Sequence, residues 1–385
     1  ASILTAASMR YSILATLQIA CAFGLSQYKF DSDSFIISTA DFEYTEVDIH
    51  LSEGDFNVYV TSADPVEKQS NIKIVQRQDV GKEPGLKAWT LNELYQHVDG
   101  NDVLLKGTPL ERTIITSTIT VTDNGKTPSN AVLLFIKKEK DEAPVYDATN
   151  SDISIQTDAQ WAWKAHAVTF LNAKPFFTLS NFGIGTAANL RVHASPYHLT
   201  HSESYLPLIT ISQKEYATNS FVPIIGPIAT VSIVKFDMTK SSFSVCSDTK
   251  DWFKARFSPG SQIAISSPGF ISMSLSTCLP HFFSSNRLVG VWKTSRDTAL
   301  TAVVDAINLG GNSTLKFLAE AGNMTVNVGK SEKLFLSAME FQLDYNISNP
   351  DAMFLIRATS GGNIFSTNIV VLTMLYLLPN AASQL

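Results

Sequence analysis

The chain has 385 residues, enough for two or three domains with cores of ordinary size, so neither a metal nor a disulfide framework is needed to fold it. Charged residues make up only 17%, below about a quarter for an average globular chain, which suits a Ser/Thr-rich extracellular β protein better than a cytosolic helical one. The net charge is −6, and the basic pair Lys137-Lys138 sits beside Glu139, Asp141 and Glu142, which argues against nucleic acid as a partner.

Met9-Arg10 opens an apolar stretch from Tyr11 to Gly24, with small residues at Ala20, Ala22 and Gly24. A basic start, an apolar run and a small-x-small site make up a secretory signal over residues 1–24, with Met9 as its natural start. The run falls short of the roughly 20 residues a membrane span requires. Cleavage removes Cys21 and leaves Cys246 and Cys278. In an oxidising compartment these two are expected to form one disulfide, closing a loop of about 30 residues for roughly 3–4 kcal/mol on the chain-entropy model. Neither cysteine belongs to a C-x-x-C pair, so the spacing gives no zinc or redox motif.

In FDSDSF, Asp31 and Asp33 stand two apart at a strand start; no EF-hand glycine or glutamate follows, and the pair reads as solvated. Val47–Leu51 alternates apolar and polar residues, and in the next strand Phe56, Val58 and Val60 share a face. Thr90-Leu91-Asn92-Glu93 is a capping box, and Leu91, Leu94, Tyr95 and Val98 then fall on one helical face. The β-branched run Ile114 to Val121, the turn signal Asp123-Asn124-Gly125 and the run Ala131 to Ile136 predict a hairpin. The charged, proline-containing stretch KKEKDEAPVYDATNSD marks a boundary. The domains expected from it are an N-terminal β domain over 26–140, a linker over 141–152 and a C-terminal β region over 153–360. A softer division of that region falls near 219–227. No internal repeat is visible.

QWAWKAH places Trp161 and Trp163 on one face of a strand, where two indoles either fill a core or stack on a sugar ring. RVHASPYHLTHSE gathers His193, His198 and His201; imidazoles so spaced either share a zinc or copper ion or are solvated loop residues. Further strands are expected at 166–171, 206–212, 228–236, 262–266, 315–319, 332–337 and 352–357. Residues 297–308 read as a second helix, with Leu300, Val303, Val304 and Ile307 on one face, or as a strand. Between the cysteines, SPGSQIAISSPGF has Ser-Pro-Gly turns at each end of Gln262 to Ser266. Its SSPGF run resembles the short Ser-Pro-aromatic stretch of extracellular CUB modules over a dozen residues. A CUB module has two disulfides where this region offers one, and no function is carried across.

Asn312, Asn323 and Asn346 begin N-x-[ST] sequons, candidate glycan sites grouped towards the C-terminus. Ser360-Gly361-Gly362 precedes the apolar run Ile369 to Leu378. Residues 361–385 therefore read either as a GPI signal with attachment at Ser360 or as a last core strand.

The fold class expected is all-β: two or three antiparallel β-sandwich or jelly-roll-like modules with one or two short helices. The sequence holds no G-x-S-x-G elbow, P-loop or H-E-x-x-H motif, so neither catalytic residues nor a cofactor are assigned. The function expected is that of a secreted or cell-surface glycoprotein with a binding or structural role, its partner a protein, glycan or lipid, with a possible lipid tether at its C-terminus. The alternatives are a secreted hydrolase using the His193/His198/His201 region and a self-assembling structural protein.

Overall fold

The structure is a computed structural model. It describes residues 27–360 apart from 31–32, 40–46, 52–53, 71, 79–85, 101–102, 111–116, 124–129, 158–165, 175, 186–187, 202–206, 213–219, 235–240, 248–253, 258–261, 267–286, 295–299, 309–313, 320–321, 327–331, 339 and 347–352. The signal segment, Cys21, Cys278, Trp161, Trp163, Asn312 and the C-terminal apolar run lie outside the described residues. The chain divides into two compact units, Ala1–Asp141 and Glu142–Leu385.

The first unit contains β1 (Gln27–Phe30), β2 (Ser34–Ser38), β3 (Val47–Leu51), β4 (Phe56–Ser62) and β5 (Ile72–Gln78). It continues with β6 (Leu86–Thr90), β7 (Thr108–Leu110), β8 (Ser117–Asp123) and β9 (Ala131–Lys137). These nine strands make a five-stranded sheet, β1-β3-β8-β5-β6, and a four-stranded sheet, β2-β9-β4-β7. The second unit begins with β10 (Val145–Asp147), β11 (Ile153–Thr157), β12 (Ala167–Leu171), β13 (Phe176–Gly183) and β14 (Asn189–His193). β15 (Ile209–Ile211), β16 (Val222–Ile225), β17 (Ile228–Val234) and β18 (Ser241–Cys246) follow. They order as β10-β12-β17-β14-β15 and β11-β18-β13-β16. The third set is β19 (Lys254–Phe257), β20 (Gln262–Ser266), β21 (Arg287–Thr294), β22 (Leu300–Asn308) and β23 (Thr314–Ala319). It ends with β24 (Gly322–Val326), β25 (Glu332–Ala338), β26 (Glu340–Asn346) and β27 (Met353–Ser360), in sheets β19-β21-β26-β23-β24 and β20-β27-β22-β25.

Counted within each set of nine, all three follow one topology: 1-3-8-5-6 in one sheet and 2-9-4-7 in the other. The all-β expectation holds, and the internal repeat that the sequence conceals lies in the strand order. The sheets are not purely antiparallel. In each set the first and third strands run parallel, because the second crosses to the opposite sheet between them. The chain expected as a linker carries β10, and residues 219–227 carry β16; the break in strand order falls between β18 and β19.

Alternation builds the first core. Phe56, Val58 and Val60 are buried while Asn57 and Tyr59 are half-buried, as the sequence pattern requires. Phe35 stacks on Phe135 at 4.4 Å between ring centroids and meets Phe56 at 6.0 Å. β9 does not alternate: Ala131, Leu133 and Phe135 enter this core, while Val132, Leu134 and Ile136 are buried on the other face. In the second sandwich Phe170 of the five-stranded sheet meets Phe243 of the four-stranded sheet edge-on at 5.9 Å, so the two sheets share one apolar layer.

Three local expectations are corrected. β8 and β9 are not a hairpin: β8 pairs with β3 and β5, and β9 with β2 and β4 in the opposite sheet. A β strand buried on both faces belongs in a sheet interior, and β9 sits between two neighbours there. Within 297–308, Leu300–Asn308 is strand, not helix, since β22 pairs with both β25 and β27, a setting that suits its β-branched residues. The capping box forms, with Glu93 N donating to Thr90 Oγ1 at 3.3 Å and Thr90 N to a Glu93 carboxylate oxygen at 2.6 Å. Its helix, however, stops after Leu91–Leu94. Val98 N then donates to Leu104 O and Lys106 N to Gln96 O, both at 2.8 Å. This pairing takes residues 96–98 out of the helix and leaves Val98 exposed.

Candidate functional site

Two polar constellations and one open sheet face stand out. The first lies on the outer face of β12, β17 and β14. Their register puts Thr169, Thr230 and His193 in one row across the sheet. Neighbours in this row project to the same side, opposite the core residues Phe170, Val231 and Val192. Thr230 Oγ1 donates to Ser195 O at 2.6 Å. A hydroxyl has one proton, so at its 2.9 Å contact with Thr169 Oγ1 it accepts. The chain of donors therefore runs Thr169 to Thr230 to Ser195. Thr169, Thr230, His193 and Ser195 are all buried.

What covers this row is the segment that the sequence reads as a histidine loop. After Pro196 the chain makes a 3-10 turn, Tyr197–His201, in which Leu199 N donates to Pro196 O and Thr200 Oγ1 to Tyr197 O. Tyr197 packs against the buried Ala143 and Ala167. Burial, and secondarily the charge of Glu142, push its phenol above the ordinary tyrosine range. The three histidines are thus not equivalent loop residues. His193 ends β14 with 2% of its surface exposed, His198 lies in the turn, and His201 closes the turn, its side chain outside the described residues. Among the described residues no three His, Cys, Asp or Glu side chains gather as a metal site.

The second constellation is in the first unit. Asn57 and Tyr59 point out of β4, opposite the core residues Phe56, Val58 and Val60. Asp141 arrives from a 3-10 turn, Lys138–Lys140, that follows β9. One Asp141 carboxylate oxygen accepts from Asn57 Nδ2 at 2.5 Å and from Tyr59 Oη at 2.7 Å. Burial pushes the Asp141 carboxyl above its usual range, and the two donated hydrogen bonds oppose that shift without cancelling it. Burial and the Asp141 charge raise the Tyr59 phenol strongly, so it stays a donor at every physiological pH. Gly107 fits beside this cluster because it has no side chain: a Cβ there would lie 2.8 Å from Tyr59 Cζ. Lys137 Nζ pairs with Asp33 at 2.7 Å, so Asp33 ties the start of β2 to the end of β9, while Asp31 lies outside the described residues. The sequence signal for this site was two polar residues spaced two apart on an otherwise apolar strand. The identity of their acceptor was not readable.

The open face belongs to the four-stranded sheet of the second sandwich. Ser154, Ser244 and Ser180 form a row across β11, β18 and β13, with Gln156 and Ser242 in the row beside it. Ser154 and Gln156 are exposed and the other three half-exposed. These rows carry hydroxyl and amide groups.

The remaining predicted residues fall as follows. Cys246 ends β18, half-buried, and its expected partner Cys278 is outside the described residues. Asn323 lies in β24 opposite Leu318, Asn346 ends β26 opposite Arg287, and Ser360 ends β27 opposite Leu300. Among the described residues no helix is long and apolar enough to cross a membrane.

No protein-family model matches the sequence, and no curated protein matches it. Among solved structures, the chain is similar to the CUB1-EGF-CUB2 domains of rat MASP-1 at 10% identity and a TM-score of 0.19, over 55% of this chain and 99% of that one.

Proposed function

We propose that this chain is a secreted or cell-surface glycoprotein whose tandem sandwiches bind an extracellular ligand or space other domains. The observation that carries this reading is one nine-strand architecture used three times in succession. Repetition presents topologically equivalent faces several times on one chain, and linked weak sites gain affinity through effective concentration. The same face serves different ends in different copies. In the first sandwich the outer face of the four-stranded sheet buries Ile36, Val132, Leu134 and Ile136; in the second it presents Ser154, Gln156, Ser180, Ser242 and Ser244.

An uncharged array of hydroxyl and amide groups suits a ligand rich in hydroxyls, which makes a glycan the favoured ligand class. The test is binding of the purified mature chain to a glycan array, with lipid vesicles and extracellular protein panels alongside. The expected result is glycan binding that Gln156→Lys and Ser244→Lys abolish. Silence on all three panels would count against a binding role.

A further inference from the structure

Among the described residues, two sets of hydrogen bonds join the third sandwich to the second, both within the second unit. β16 and β20 are terminal strands of their four-stranded sheets, and the residues at their starts bond to each other. Phe221 N donates to Gln262 O at 3.1 Å, and Gln262 N donates to Ser220 Oγ at 3.0 Å. The second contact starts one strand further in, from Arg357 on β27. Its Nε donates to Leu208 O at 2.7 Å and its Nη2 to Pro207 O at 2.8 Å. Arg357 pairs opposite Ala264, and Leu355 is two residues back on the same face; Ala264 and Leu355 are 0% and 2% exposed.

These contacts reach both sheets of the second sandwich. Ser220 and Phe221 lead into β16 of the four-stranded sheet. Pro207 and Leu208 lead into β15 of the five-stranded sheet, where Leu208 N is itself fixed to Val192 O at 2.8 Å. An attachment to one sheet alone leaves rotation about that edge; attachment to both removes it. We infer that Arg357 is a positioning residue that holds the second and third sandwiches as one cooperative body. The side chain suits the task. A guanidinium is planar and permanently charged, and its fork presents two donors in fixed geometry to two successive carbonyls. An ammonium on a flexible stem offers no such fork.

Hydrogen exchange on the full chain tests this at amides remote in sequence from the substitution. In Arg357→Met the Phe221 and Gln262 amides should exchange at least about tenfold faster, as expected for loss of charge-assisted hydrogen bonds, while the β12 and β17 amides keep their rates. Arg357→Lys should restore part of the protection. Ser220→Ala, which removes the acceptor for Gln262 N, should speed Gln262 and spare β22 and β27. Calorimetry should show one transition for the two sandwiches in the parent chain and two in Arg357→Met. Unchanged exchange at Phe221 and Gln262 in Arg357→Met would overturn the inference. So would two independent transitions in the parent chain, or equal acceleration across β20, β22 and β27, which would make Arg357 a support of the third sandwich alone.

Discussion

Tyr59 donates its phenolic proton to Asp141 at 2.7 Å, joining the middle of β4 to the last residue of the first unit. The same carboxylate oxygen also takes the Asn57 amide, so one acceptor satisfies two half-buried donors. Asp141→Ala should cost about 1–3 kcal/mol, because both donors then lose their partner. Asp141→Asn keeps an acceptor oxygen and removes a partly buried charge, so it should be neutral or stabilising at pH 7. Thermal unfolding of the two variants beside the parent chain checks the ordering.

The same group sets a pH dependence. The folded-state pKa of Asp141 is raised, so the folded chain binds this proton more tightly than the unfolded chain does. Its contribution to stability is therefore fully present below the ordinary carboxylate range and is lost as the pH rises through the raised value. Urea midpoints between pH 4 and 8 should show this loss in the parent chain. A parent and an Asp141→Asn variant with parallel profiles would contradict it.

Gly107→Ala should displace the Tyr59 ring, since the new Cβ would sit 3.0 Å from the phenolic oxygen and 2.8 Å from Cζ. The expected effect is loss of the hydrogen bond to Asp141 and about 1–3 kcal/mol of stability, as for other overpacking changes. A Tyr59→Phe background, which has already lost that bond, should show a smaller penalty for the same substitution.

In the second sandwich the two threonines should differ. Thr230→Val leaves both the Thr169 hydroxyl and the Ser195 carbonyl without Thr230 and should cost about 2–4 kcal/mol, from two buried polar groups at roughly 1–2 each. Thr169→Val removes only a donor to Thr230, which still donates to Ser195 O, so about 1 kcal/mol or less is expected. Equal costs would contradict this donor order.

Mass spectrometry of the mature protein should find an N-terminus near residue 25, a Cys246–Cys278 link and glycan on Asn312, Asn323 or Asn346, and a lipid at Ser360 would decide for the anchor over a last strand. A full-length chain with three reduced thiols and no glycan would remove the secretory reading.

Strands were the legible part of this chain. Alternation placed β4 with its inward and outward residues correctly assigned, and β-branched runs placed β8 and β17, because these patterns are local. What failed was non-local. Asp123-Asn124-Gly125 announces a turn, but nothing near it says whether the next strand returns to its neighbour or crosses to the opposite sheet. The unbroken apolar run of Ala131 to Ile136 was the clue that it crosses. The threefold repeat escaped because it is held by apolar pattern and strand order, which very different residues satisfy equally well. Asp141 escaped as the acceptor for Tyr59 because a carboxylate in a charged stretch looks like any solvated one. The histidines misled in the other direction: closeness in sequence suggested equivalence, and strand pairing buried one of them.

The strand order also governs how each sandwich comes into being. Its ninth strand lies between the second and the fourth, so the four-stranded sheet has no continuity until the final strand of that set is present. A chain emerging from the ribosome cannot assemble the first sandwich until Lys137 is clear, and a truncation anywhere before Ala131 leaves β2 and β4 with no strand between them. Each set of nine is thus an indivisible inheritance, gained or lost whole, and the natural steps for lengthening or shortening such a protein are entire sandwiches.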